Sequence, residues 1–257
     1  MKFSNLIKII LLKFIGLLLF LNFLVLVNPA QDKSSKGKLR VLFVGNSLTY
    51  SNNLPEIIAS LARSAKQKKL DYKMIAYPNF SLEDHWNKGE VQKILAKEKW
   101  DYVIMQQGPS ASSDGRQVLV DYAKKYAEPI AQAGAKSAFY MVWSAAGRIR
   151  DFAGVSATYQ AAAKEVGGLF FPAGEAWLEA WRRDPKIELY AADRFHPNFA
   201  GSYLAALIIY QQLYHQSPIG LTRQFRFSFE ETSEIPEKQA KILQEAAAET
   251  NKKYGFE

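Results

Sequence analysis

The sequence predicts an α/β protein of three layers, in which helices cover both faces of a five-stranded parallel sheet. Short apolar runs alternate with helical patterns along most of the chain. Several of these runs are hydrophobic at every position, which is typical of strands buried on both faces. Regular alternation of strand and helix favours a sheet between two helical layers over separate α and β regions.

The first strand is predicted at residues 38–45 (KLRVLFVG), and residues 54–66 then carry apolar side chains at helical spacing. Further strands are predicted at residues 70–77, 101–106, 136–143 and 169–172, and helices at residues 91–97, 117–132, 157–165, 175–182 and 200–213. The last of these is apolar throughout, which predicts a buried helix. Residues 217–257 read as a loop and a surface helix to which we assign no chemistry.

Composition narrows the classes of function. Of 257 residues, 48% are hydrophobic, so the chain can bury a sizeable core. The net charge is +8, and Lys2, Lys8 and Lys13 of the N-terminal segment supply three of these charges. The remaining basic residues are scattered, so no nucleic-acid groove is predicted. The absence of cysteine excludes disulfides, thiolate metal sites and a cysteine nucleophile.

The N-terminal segment resembles an export signal. Residues 1–30 combine a basic start, an apolar stretch at residues 14–27 and a small-residue end at Pro29-Ala30. We expect either a cleaved signal peptide or an uncleaved membrane anchor, with a polar linker at residues 31–38. In both cases the domain is expected outside the cytoplasm, periplasmic or secreted, and the membrane is a partner only through this segment.

A candidate nucleophile follows the first strand. In Gly45-Asn46-Ser47, glycine permits a tight turn, and a serine at a strand-to-helix junction exposes its hydroxyl. Since parallel strands place their sites at their carboxyl ends, this position suits a catalytic serine. The same residues also suit a helix cap, so the motif alone leaves both interpretations open.

A candidate base lies far along the chain, in Asp193-Arg194-Phe195-His196-Pro197. An aspartate three residues before a histidine can accept the Nδ1 proton and leave Nε2 free to take a proton from serine. By itself the motif also fits a surface turn. Its position before the last buried helix, with Ser47 after the first strand, favours a Ser-His-Asp arrangement.

These two segments resemble the first and fifth sequence blocks of the SGNH/GDSL hydrolase superfamily, and the similarity extends over about residues 40–215. The resemblance implies a flavodoxin-like fold for residues 39–257, with Ser47 as nucleophile, His196 as base and Asp193 as its partner. It implies no metal and no organic cofactor. Asn46 replaces the more usual aspartate of the first block.

The resemblance also implies an oxyanion hole, whose residues are altered here. The family uses backbone N–H groups of the serine and of a glycine after the second strand, with an asparagine after the third. Here Asn79 stands in place of the glycine, and Gln106 in place of the asparagine. We therefore expect the oxyanion hole to comprise Ser47, Asn79 and Gln106, although Gln106 also fits a polar strand end.

Three further residues are expected to bind substrate: His85, Trp143 and Gln107. His85 matches a subset of the family and is expected to shape the pocket or cap a helix. Trp143 ends the fourth predicted strand and is either an aromatic wall for a sugar ring or a core residue.

The predicted function is that of an exported serine esterase acting on a small-molecule or glycan ester, such as an acetyl ester of a carbohydrate. Two alternatives stay open. One is a carbohydrate-binding protein that kept the fold and lost turnover, and the other is a lipase at a membrane surface.

Overall fold

A five-stranded parallel sheet lies at the centre of the computed structural model, which describes residues 37–227 and 231–256. Its strands are β1 (Lys38–Gly45), β2 (Lys69–Ala76), β3 (Tyr102–Met105), β4 (Lys136–Tyr140) and β5 (Leu169–Phe171). They lie in the order β2-β1-β3-β4-β5, and every pair is parallel. The predicted α/β fold with a five-stranded parallel sheet is therefore confirmed.

Helices cover both faces of this sheet. They are α1 (Ser47–Tyr50), α2 (Leu54–Ser64), α3 (Leu82–Lys88), α4 (Glu90–Lys97), α5 (Ser113–Gln132), α6 (Phe152–Glu165), α7 (Ala173–Arg183), α8 (Phe199–Tyr214) and α9 (Glu237–Lys253). Helices α2, α7, α8 and α9 pack against one another, and α3 to α6 form the second group. Right-handed crossovers in opposite directions from β1 place the two groups on opposite faces.

The core explains why the apolar runs fold as they do. Val41 to Val44 of β1 have no exposed surface, because this strand lies inside the sheet and under both helical layers. Helix α8 is buried along nearly its whole length, as its continuous apolar sequence predicts. Burial of this surface is the main favourable contribution to folding.

The chain direction creates a switch point between β1 and β3. From β1 the chain crosses to β2 on one side and then to β3 on the other. The connections at the carboxyl ends of these two strands diverge, which opens a crevice at this edge of the sheet. Ser47 follows β1 directly and so lies at this crevice.

The sequence did not lead us to predict α1, α3 or a hairpin near the C-terminus. Helix α3 begins with a capping box, in which the Ser81 side chain accepts the N–H of Asp84 and the Asp84 carboxylate accepts the N–H of Ser81. Residues 217–257 contain, besides α9, a hairpin of β6 (Gln224–Arg226) and β7 (Thr232–Glu234). Both strands are three residues long, and neither has the continuous apolar run that identified the equally short β5.

The predicted signal peptide or anchor, at residues 1–30, and most of the linker at 31–38 lie outside the described residues. Residues 37–257 form one compact unit. Within the described ranges, no helix combines the length and apolarity needed to span a bilayer.

Candidate active site

Ser47 stands at the turn that joins β1 to α1. The Asn46 side chain caps this helix by accepting the backbone N–H two residues further on, at 3.1 Å. Gly45 is required for close packing, since a Cβ there would lie 2.3 Å from Thr49 Oγ1 and 2.5 Å from Gln106 Oε1. Ser47 keeps 8% of its surface exposed, so its hydroxyl is held in a nearly closed environment.

The structure brings Ser47, His196 and Asp193 together. The Oγ of Ser47 lies 2.9 Å from Nε2 of His196. The Nδ1 of His196 lies 2.5 Å from Oδ2 of Asp193. The other carboxylate oxygen of Asp193 accepts the backbone N–H groups of Phe195, at 3.0 Å, and of His196, at 2.9 Å. One aspartate therefore both shapes the turn and orients the imidazole.

The hydrogen bond from His196 is the largest cause that lowers the pKa of Asp193 to about 2, with the two backbone N–H groups adding to it. Asp193 is therefore a carboxylate at neutral pH. An ionised carboxylate at Nδ1 favours the tautomer that carries its proton there. Nε2 is then free to accept the proton of the Ser47 hydroxyl.

The loop that carries the imidazole is anchored at several points. Tyr190 and Pro197 form an antiparallel bridge across its base. The indole N–H of Trp143 donates to the carbonyl of Phe195 at 3.0 Å. Trp143 is fully buried and stacks on Trp177, with ring centroids 3.8 Å apart. The expectation that Trp143 binds substrate is therefore corrected: this core residue supports the loop from beneath.

A second anchor, not predicted from the sequence, joins this loop to the turn of the serine. The Asn52 amide N–H groups lie within hydrogen-bond reach of the carbonyls of Pro197, at 3.0 Å, and Asn198, at 3.2 Å. They also reach Ser202 Oγ at 2.9 Å. Asn52 and Asn53 both have φ of 53°, which asparagine tolerates better than most residues. The consecutive asparagines at positions 52 and 53 are the sequence feature that could have indicated this turn.

We expect Asn52→Gly to lower kcat for an ester by about ten- to a hundredfold with little change in KM, because small displacements of a base are costly. Glycine tolerates the positive φ, so the substitution removes only the amide. Asn53→Gly is the matched control, since Asn53 has the same φ and makes no side-chain capping bond. Equal losses in the two variants would contradict this role for Asn52.

Gln106 does not face the crevice. It is fully buried, and its Oε1 accepts the N–H of Asn46 at 3.0 Å and the hydroxyl of Thr49 at 2.7 Å. Its Nε2 donates to Asn46 Oδ1 at 3.0 Å and to the carbonyl of Gln107 at 2.5 Å. Because both amide hydrogens are engaged, the expected role in the oxyanion hole is corrected. Gln106 instead fixes the turn that holds Ser47.

Gln107 is also directed inward. Its Oε1 accepts the N–H of Leu82 at 3.1 Å, and its Nε2 donates to Ser110 Oγ at 2.7 Å. The Tyr159 hydroxyl donates to its carbonyl at 2.5 Å. Gln107 is 3% exposed, so the expectation that it binds substrate is corrected. It joins the start of α3 to the loop after β3.

His85 is buried beneath the same turn. Its Nε2 lies 2.8 Å from the carbonyl of Gly45, and burial lowers the pKa of its imidazole. The neutral ring therefore donates its Nε2 proton to that carbonyl. Its Nδ1 has no partner among the described residues. The expected role in substrate binding is corrected, because His85 has almost no exposed surface.

Asn79 was expected to supply a backbone donor to the oxyanion hole, and this remains a prediction. Its φ is 62°, in the left-handed region that glycine would adopt there, and the residue is exposed. Within residues 37–227 and 231–256, the N–H groups of Ser47 and Asn79 have no hydrogen-bond acceptor. The Asn46 amide donates to the carbonyl of Phe80 at 3.1 Å and so ties the two turns together. The hydrogen bond from Asn46 therefore keeps the turn that carries Asn79 next to the turn that carries Ser47.

The part of the chain that the structure describes contains no cluster of histidine, aspartate and glutamate suited to hold a metal ion.

Comparison with solved structures identifies the fold. A protein of Slackia heliotrinireducens, assigned to the SGNH hydrolases, is 27% identical with a TM-score of 0.58, over 68% of this chain and 98% of that one. A DUF4886 family protein of Bacteroides uniformis is 20% identical with a TM-score of 0.65, over 86% and 96%. A mutant acetylxylan esterase of Geobacillus stearothermophilus is 13% identical with a TM-score of 0.53, over 68% and 94%. No protein-family model and no curated protein matches the sequence.

The architecture and these similarities define the class: the chain has the SGNH hydrolase fold. This fold agrees with the expectation drawn from the two sequence motifs, which resemble those of the SGNH/GDSL hydrolases.

Proposed function

We propose that this hydrolase cleaves an ester, an O-acyl group with a short acyl chain on a carbohydrate, through an acyl-enzyme on Ser47. The observation that carries the proposal is the uninterrupted contact from Ser47 Oγ through His196 to Asp193, at 2.9 and 2.5 Å. These distances lie within the reach that proton transfer requires.

In the first step, Ser47 Oγ attacks the ester carbonyl carbon while its proton passes to Nε2 of His196. The carbonyl oxygen becomes an oxyanion, for which we propose the N–H groups of Ser47 and Asn79 as donors. Such a donor is worth about 3 kcal/mol in comparable enzymes. When the tetrahedral intermediate collapses, the C–O bond to the alcohol breaks, and the alkoxide takes the proton from His196.

In the second step, a water molecule attacks the acyl-enzyme and gives a proton to Nε2 of His196. The second tetrahedral intermediate releases the carboxylic acid, and Ser47 recovers its proton. Asp193, whose pKa lies at about 2, stays ionised and stabilises the imidazolium in both steps. The cycle needs only the ester and water.

The surface of the described residues favours a small polar substrate over a lipid. Its exposed large hydrophobic residues are Met74, Ile149 and Ile219. Met74 lies on β2, Ile149 follows β4 and Ile219 follows α8, whereas a membrane-binding surface needs a large contiguous apolar patch. A short acyl group on a hydroxyl-rich alcohol agrees better with this surface.

A serine-directed fluorophosphonate tests the nucleophile. We expect one label per chain, on Ser47, because this hydroxyl contacts an imidazole that removes its proton. Mass mapping of the labelled peptide is the measurement, and Ser51→Ala is the matched control, expected to label normally. A label on another serine, or none while esters are still hydrolysed, would remove Ser47 from the mechanism.

An acyl-length series with p-nitrophenyl esters separates the alternatives. Preference for acetyl over long chains agrees with the proposal, and the reverse order would favour a lipase. Failure to hydrolyse any ester, together with tight binding of a glycan, would favour a carbohydrate-binding protein.

A further inference from the structure

A pocket of about 310 Å³ lies at the carboxyl edge of the sheet, and nothing in the mechanism above uses it. Its walls come from residues 109–112 after β3, from Phe195, and from four residues after β4, namely Ser144, Ala145, Arg148 and Asp151. These strands continue the sheet from β1, so the pocket opens on the same edge as Ser47.

Phe195 joins this pocket to the catalytic pair. It lines the pocket, and its ring packs edge-on against the imidazole of His196, with centroids 5.2 Å apart. The Phe195 carbonyl is held by Trp143, so this wall is fixed. A group bound in the pocket therefore lies beside the imidazole, where one part of the ester must lie during the reaction.

The lining of the pocket combines polar and apolar side chains. Serine residues contribute from both loops, Ser110 and Ser112 from one and Ser144 from the other. Pro109, Ala111 and Phe195 add apolar surface for the face of a ring. A sugar ring combines these two properties.

Arg148 adds a positive charge to the pocket. Its Nε lies 2.6 Å from Oδ2 of Asp151, while its terminal amino groups have no hydrogen-bond partner in the described ranges. The side chain is 72% exposed and is free to turn towards a ligand. Asp151 also lines the pocket and is the counter-charge of Arg148, so the unpartnered amino groups of Arg148, and not a net positive charge, distinguish this pocket.

We propose that this pocket binds the alcohol part of the ester as an acidic sugar, with Arg148 contacting a carboxylate on the ring. The inference rests on the proposed esterase function and adds its substrate class, an acylated glycan that contains a uronic acid. Guanidinium groups pair with carboxylates in two parallel hydrogen bonds, which gives direction as well as affinity. The unpartnered amino groups of Arg148 supply this face.

The test compares kcat/KM for acetylated oligogalacturonate with that for acetylated xylo-oligosaccharide of equal length. We expect the wild-type protein to prefer the acidic substrate by about ten- to a hundredfold, the range of a charge-assisted hydrogen bond. Arg148→Gln should bring this ratio towards one. Arg63→Gln should preserve it, because Arg63 is similarly exposed, at 64%, and similarly paired, to Glu56 on α2. A ratio of one in the wild type, or a ratio unchanged by Arg148→Gln, overturns the proposal.

Binding separates a failure of this inference from a failure of the proposed function. If the wild-type protein hydrolyses no ester, the esterase proposal fails, and calorimetry with Ser47→Ala and unacetylated oligosaccharides still tests the pocket. Tighter binding of oligogalacturonate than of xylo-oligosaccharide, lost on adding Arg148→Gln, supports the acidic-sugar pocket. Equal affinities for the two oligosaccharides overturn it.

Discussion

Ser47→Ala is expected to lower kcat for p-nitrophenyl acetate by about four to six orders of magnitude, the range seen when the nucleophile of a serine hydrolase is removed. The alanine has no oxygen to form the acyl-enzyme, and His196 loses the proton that it would accept at 2.9 Å. Steady-state release of p-nitrophenol from highly purified protein is the measurement.

The Ser47 variant should fold as the parent does. Its side chain is small, and its described contact is with the partly exposed His196. Thermal unfolding curves of the two proteins should therefore nearly coincide. A variant with the parent's kcat would show that another group performs the reaction.

Gly45→Ala is expected to damage both stability and catalysis. The added Cβ would lie 2.3 Å from Thr49 Oγ1 and 2.5 Å from Gln106 Oε1, and both atoms are buried and hydrogen-bonded to each other. We expect the free energy of unfolding to fall by about 2 kcal/mol, as overpacking does in well-packed interiors. We expect kcat to fall by about a hundredfold, because the turn that holds Ser47 must shift.

Gly108→Ala is the matched control for this effect. Gly108 lies just beyond β3 at the same edge of the sheet, and a Cβ there would meet no atom within 4 Å. Urea unfolding and ester hydrolysis should both stay close to the parent values. If Gly45→Ala were equally harmless, the close packing beneath Ser47 would not be needed.

The fold and the position of the site were predictable because each depends on a strong local signal. Runs such as KLRVLFVG identify buried strands, and the carboxyl ends of parallel strands meet at one edge. Ser47 follows β1 directly and so was expected at this edge, whereas His196 lies in the loop before α8 and was placed there by the family resemblance. The positive φ of Asn79 agrees with the same kind of local signal, since asparagine tolerates this conformation better than most residues.

The orientation of the supporting side chains was not predictable in the same way. Gln106, Gln107, His85 and Trp143 were all expected at the crevice, and all four are directed into the protein. The sequence places these residues close to the carboxyl edge of the sheet. The side-chain rotamer, however, decides whether an amide faces a substrate or a backbone carbonyl. That choice depends on partners distant in sequence, such as Tyr159 for Gln107 and Phe195 for Trp143.

Ser47 and His196 are 149 positions apart, and α8, which follows the imidazole, packs against α2 and α7. All five strands of the parallel sheet precede His196 in the sequence. During refolding, much secondary structure can form before any substrate is turned over. The far-ultraviolet circular dichroism signal, which follows secondary structure, would then return first. Ester hydrolysis would return later, because it requires Ser47 and His196 to be in contact.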